Sequence, residues 1–94
     1  MADIAFKDLK AKLLSNPEAR KVYDDLAPEY AVARAVIKAR KARGLTQAEL
    51  AERMNTSQSF IARIENARSR PTIKTLYRVA AATGTRVKLD LVST

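Results

Sequence analysis

The 94-residue chain carries 18 Lys and Arg against 10 Asp and Glu, a formal net charge of +8, and neither Cys nor His. That length supports one modest core with appendages. Without Cys or His there is no disulfide framework, and the commonest zinc ligands and general bases are missing, so no metal or cofactor is expected. With no glycine-rich loop or clustered carboxylates either, the chain is not expected to be an enzyme. No run approaches the roughly 20 apolar residues that span a bilayer, and Asp3, Lys7 and Asp8 interrupt what a signal peptide would keep apolar. A soluble, cytoplasmic chain with no membrane role is therefore expected.

The charge is unevenly placed. Residues 1–33 hold five basic and six acidic side chains, whereas residues 34–94 hold thirteen basic ones against only Glu49, Glu52, Glu65 and Asp90. A positive field confined to the C-terminal two-thirds fits a polyanion-binding face, with a generic solubilising surface as the alternative.

In chain order, Phe6, Leu9 and Leu13 stand at i, i+3 and i+7 and predict a first amphipathic helix over about 3–14. Asn16-Pro17-Glu18 supplies an N-cap, a proline at N1 and an acid in the first turn of a short second helix bearing Val22, Tyr23 and Leu26. Pro28 interrupts it before a third helix over 29–43, with Tyr30, Ala33 and Ile37 on one face and Gly44 as its stop. Thr46 and Glu49 fit a capping box that opens a helix over 47–54. Asn55 tolerates the left-handed turn that follows, and Thr56 or Ser57 caps a helix reaching about 66. A last helix over 73–83 places Ile73, Leu76 and Ala80 on one face between Thr72 as cap and Gly84 as stop.

Residues 86–91 alternate polar and apolar at period two, which predicts a half-buried strand. It is the only strand candidate, so it needs a second copy of itself or another protein's sheet edge, with a partly ordered tail as the alternative. Val87, Leu89 and Leu91 are the candidate dimerisation residues. The expected fold class is all-α, a five-helix domain with an N-terminal helical extension and one C-terminal strand pairing between chains. Its parts are expected at 1–30, 31–84 and 85–94.

The residues Gly44-Leu45-Thr46-Gln47-Ala48-Glu49-Leu50-Ala51, Thr56-Ser57-Gln58-Ser59, Ile61-Ala62-Arg63-Ile64-Glu65-Asn66 and Pro71 carry a resemblance. They are similar to the DNA-binding domain of the lambdoid phage repressor and Cro superfamily, the xenobiotic-response-element-type helix-turn-helix family, over about residues 34–84. Leu50, Ala51, Met54, Ile61 and Ile64 then build the apolar platform, and the helix beginning near Ser57 is the recognition helix, its N-terminal residues entering the major groove.

The resemblance implies base reading by Gln58, Ser59 and Arg63. An amide suits adenine N7 and N6, and a guanidinium suits guanine O6 and N7. It also implies a phosphate clamp at Gln47, at the first turn of its helix. Ser57, Asn66, and the basic flanks Arg40, Arg43, Arg68, Arg70 and Lys74 complete the phosphate-binding set, with ion pairs inside the monomer as the rival explanation for the cations. Two positions depart from the family pattern. Asn55 and Ala67 stand where glycine is usual, and a positive φ at Ala67 would be the more awkward.

The first thirty residues lie outside a minimal domain of this family. With Pro28-Glu29-Tyr30 and the terminal strand, the whole chain resembles HigA-type antitoxins, which mask an RNA-cleaving toxin and repress their own operon. That resemblance implies a bacterial, cytoplasmic homodimer, nucleoid-associated when bound to palindromic operator DNA, and a partner that is a small basic ribonuclease toxin of the HigB/RelE type. Phe6, Leu9, Leu13, Val22 and Tyr23 are the candidate toxin contacts, and packing of residues 3–26 on the core is the alternative. A stand-alone repressor without a toxin is the second functional reading.

Overall fold

The computed structural model describes residues 15–19, 21 and 27–94. The first predicted helix, with Phe6, Leu9 and Leu13, lies outside the described residues, as do Val22 and Tyr23. Four helices follow in order: α1 Pro28–Ala42, α2 Gln47–Arg53, α3 Gln58–Glu65 and α4 Ile73–Thr83. Residues 17–19 and 21 are helical as well. There Asn16 caps as its position suggests, its Oδ1 accepting from the backbone N–H of Glu18 at 3.0 Å and of Ala19 at 3.2 Å.

Each helix starts where its local chemistry dictates. Pro28 opens α1, its fixed φ already helical and its missing N–H one that no helix N-terminus can pair. At α2 the Thr46 hydroxyl accepts from Glu49 N at 3.0 Å while the Glu49 carboxylate accepts from Thr46 N at 2.8 Å, completing the capping box. The two bonds to the charged carboxylate, from the Thr46 backbone first, hold the Glu49 pKa below its ordinary value. Ser57 and Thr72 cap α3 and α4 by accepting from Phe60 N and Thr75 N.

The turns use four left-handed residues. Gly44 and Gly84 follow α1 and α4 with φ of 78° and 69°, while Asn55 and Ala67 take φ of 54° and 58°. Asn is mild there, because its short polar side chain is tolerated in that region. Ala67 is strained, for its Cβ crowds the following carbonyl where glycine would have none. The family departure noted in the sequence thus leaves the loop's conformation in place at an energetic cost.

The helices close on one apolar cluster of Val36, Leu45, Leu50, Ala51, Met54, Ile61, Ile64 and Val79, with Val32, Phe60, Leu76 and Ala82 packed against it. Leu50, Ile61 and Ile64 are fully buried. Burial of each such side chain is worth roughly 1.5–3 kcal/mol. Ala51 is buried where α2 meets its neighbours, so the platform residues lie where the sequence puts them.

One helix face is rotated from expectation, and the inward face of another begins one turn later than expected. On α1 the buried positions are Ala33 and Val36, with Tyr30 and Ile37 only half-buried. On α4 the inner residues are Leu76, Val79, Ala80 and Thr83, whereas Ile73 is 54% exposed. Ile73 sits at the first position of α4, where the helix has not yet come over the core.

The C-terminal segment differs from its sequence pattern. Residues 85–94 form no strand in this single chain, and Leu89, Leu91 and Val92 are exposed. Among the described residues, the only backbone hydrogen bond that anchors the segment runs from Thr85 N to Ala80 O. Period-two alternation fixes which side chains share a face but supplies no partner backbone.

Candidate nucleic-acid interface

The solvent face of α3 is built by subtraction. Ile61, Ile64 and Glu65 turn inward, and the helical period then leaves Ser59, Arg63 and Asn66 outward, with Gln58 at the first helical position and Ala62 half-buried among them. Ser57, Gln58, Ser59, Arg63 and Asn66 are all exposed. The Ser57 and Ser59 hydroxyls lie 3.1 Å apart, so this N-terminal end offers a pair of small donor–acceptor groups beside the Gln58 amide. The three expected base readers therefore share one surface, standing on an apolar underside that fixes the helix.

The expected phosphate set divides. Arg43, Arg68 and Lys74 are exposed, flanking the outward face of α3 in sequence. Arg40 is not of this kind. Its Nε donates to Glu65 Oε2 at 2.7 Å, its Nη2 to Glu65 Oε1 at 2.9 Å and its Nη1 to the Leu45 carbonyl at 2.9 Å, leaving the side chain 12% exposed. The hydrogen bonds to Glu65 raise the Arg40 pKa against the opposing effect of burial. The geometry gives Arg40 a structural place, since a guanidinium already committed on three nitrogens has little left to offer a phosphate.

Gln47 also turns to Glu65, its Nε2 donating to Oε1 at 3.0 Å. It remains half-buried at the first position of α2, with its carbonyl oxygen and second N–H not used in that bond. Arg70 pairs with Glu29 of α1, although its own side chain is 81% exposed. That hydrogen bond holds the Glu29 pKa below the ordinary value. An exposed ion pair of this sort contributes little and exchanges readily with another anion. For Arg40 and Arg70, pairing within the monomer is what the structure contains.

Glu65 was not among the residues singled out for the site. It is 3% exposed and ties α1, the start of α2 and the end of α3 through Arg40 and Gln47. A signal was present in sequence: Glu65 directly follows Ile64 and lies four positions after Ile61, on the inward side of α3. Arg53 and Arg78 were missed in the same way. They donate to the carbonyls of Ala82 and Met54, closing the C-terminal ends of α4 and α2.

Among the described residues no His, Cys, Asp or Glu cluster could hold a metal ion, and no helix is long and apolar enough to cross a membrane.

Residues 36–89, a little over half of the chain, match the helix-turn-helix family model. The chain belongs to the helix-turn-helix family. Within that family α2 and α3 are the two helices and residues 54–57 are the turn, held by Thr56 N donating to Ala51 O at 2.9 Å. The helix-turn-helix chain is also 50% identical over 48 residues to a protein named immunity repressor protein, from Bacillus phage phi105. That stretch is 51% of this chain but 33% of the phage protein, so the chain spans about a third of that relative's length. No solved structure matches the chain.

Proposed function

We propose that the chain is a sequence-specific DNA-binding repressor that inserts α3 into the major groove and reads bases with Gln58, Ser59 and Arg63. The observation that carries this reading is the outward face of α3, where an amide, a hydroxyl and a guanidinium converge on one surface of a helix-turn-helix whose inner face is wholly occupied by the core. Arg43, Arg68, Lys74, Ser57 and Asn66 hold phosphates on either side, and Gln47 is pre-oriented for the same task by its bond to Glu65. Arg70 reaches phosphate only by leaving Glu29. The work is binding, with no catalytic step. The name of the phage relative supports repression over activation.

A homodimer on a palindromic operator follows from the same reading, with half-sites about 34 Å apart. Selection of bound sequences from random duplex DNA tests it. Enrichment of a two-fold symmetric site with one-turn spacing is the expected result, and recovery of unrelated sequences would remove the base-reading role.

The finer reading is an antitoxin that neutralises a small basic ribonuclease toxin through residues 3–26 while repressing its own operon. What supports it is the apolar stripe of Phe6, Leu9 and Leu13 on a segment that lacks the positive charge of the rest. The stand-alone repressor suits the phage relative at least as well. Co-expression with the adjacent reading frame separates them. Rescue of a toxic neighbour by the full chain, lost on deletion of residues 1–26, carries the antitoxin reading, and a harmless neighbour leaves the stand-alone repressor.

A further inference from the structure

An apolar groove of about 640 Å³ runs between α1 and α4, floored by Ala35, Ala39, Leu76 and Val79 and walled by residues 85–89 of the C-terminal segment, Val87, Lys88 and Leu89 among them. Among the described residues the segment that forms this wall has no backbone hydrogen bond beyond Thr85, while Leu89 is 65% exposed and Leu91 fully so. A groove whose wall has no backbone partner among the described residues beyond Thr85 is half of a site, and the missing half must bring both backbone donors and apolar side chains.

We propose that this groove is covered by the same segment of a second copy of the chain, paired antiparallel and centred on Leu89. The proposal rests on the dimeric reading above and deepens it by naming the surface and the register. In an antiparallel pair, residues directly opposite point to the same face, and side chains two apart share that face. Centring on Leu89 sets Leu89 against its own copy and Val87 against Leu91 in both halves, so that six apolar side chains lie on the groove side. On the other face, Lys88 of each chain lies opposite Asp90 of the other, an attractive pair formed twice.

Neighbouring registers lose these matches. Centring on Lys88 opposes two lysines and sets Leu91 against Thr85. Centring on Asp90 opposes two aspartates and sets Val87 against Ser93. A slip by one residue turns Val87 or Leu89 against a charged side chain. Charge and apolar pattern therefore select a single register from the sequence itself, because like charges directly opposite destabilise a strand pair and unlike ones stabilise it.

The test is the dimer dissociation constant of the full chain, measured by sedimentation, for Lys88→Asp, Asp90→Lys and the double variant. Each single reversal creates two like-charge oppositions and is expected to raise the constant on the order of tenfold. The double variant restores attraction and is expected to return it to the parent value. Both positions are exposed, so thermal melting of the monomer should be unchanged. Because the chain has no cysteine, Leu89→Cys offers an independent readout, expected to form a covalent dimer on mild oxidation while Lys88→Cys does not. A dimer indifferent to both single reversals and not cross-linked at residue 89 overturns this interface while leaving a dimeric repressor intact. A parent chain that is monomeric at every concentration, and on operator DNA, overturns both.

Discussion

The side chains on α3 divide cleanly by what their removal should change. Gln58→Ala and Arg63→Ala each delete a group that is exposed and engaged with no core residue, so the fold should be unaffected. Each is expected to lose about 1–3 kcal/mol of preference for the selected operator over random DNA, read by competition binding, with non-specific affinity retained. An unchanged preference in both variants would move base reading off α3. Arg40 belongs to a different class. Sequence reasoning makes it a phosphate contact, whose loss would flatten the salt dependence of binding. Its bidentate pair with nearly buried Glu65 makes it a stability residue instead. Removing one partner of such a pair strands the other charge, and Glu65→Ala is expected to cost roughly 3–5 kcal/mol in urea unfolding. Ala67 makes the opposite case. With φ at 58° it carries strain that glycine relieves, and Ala67→Gly is expected to stabilise by about 0.5–1 kcal/mol after glycine's greater entropy loss is counted.

At the scale of the elements, caps and ion pairs set how the domain responds to pH. Glu49 in the α2 capping box and Glu29 against Arg70 both have pKa values lowered from the ordinary 4.5. A carboxylate with a depressed folded pKa binds protons less readily when folded, so its contribution is complete above the unfolded value and disappears as pH falls through the folded one. Unfolding free energy is therefore expected to be flat with respect to these two groups near neutrality and to decline below about pH 4.5. Glu49→Gln should shrink that decline in urea titrations at graded pH. An unaltered acid limb would show that the box contributes nothing to the transition. Thr46→Ala, which removes the other half of the box, is expected to cost about 1 kcal/mol at neutral pH.

For the molecule as a whole, the core cluster and its packed neighbours lie between Val32 and Ala82 among the described residues. A chain beginning at Ala27 is accordingly expected to fold and to bind the selected operator with affinity within about threefold of the full chain, a difference of roughly 0.6 kcal/mol. Loss of cooperative unfolding in that truncation would give residues 1–26 a place in the core and remove them as a free docking segment. Binding should also weaken steeply with salt, because thirteen of the 18 cationic side chains follow Ala33.

Much of this was already legible in the residue order. Caps, left-handed turns and the inward residues of α2 and α3 are decided by interactions within a few positions, so Thr46, Glu49, Asn55, Gly84, Leu50, Ile61 and Ile64 could be placed from sequence by local physics alone, while the choice of Ser57 over Thr56 as the α3 cap fell to the structure. The family pattern across residues 44–71 is legible for the same reason. What tertiary structure decided is which cations are free. Arg40 and Glu65 are 25 positions apart, and Arg70 and Glu29 are 41 apart, so neither pairing follows from any periodicity. The rotation of the α1 face and the exposure of Ile73 at the start of α4 were likewise settled only by how the helices pack. The uneven charge suits a polyanion partner or a solubilising surface alike; only the fold separates the guanidiniums that hold helices together from those left facing outward, because a charge's role depends on what lies within about 4 Å of it in space and not on its neighbours in sequence.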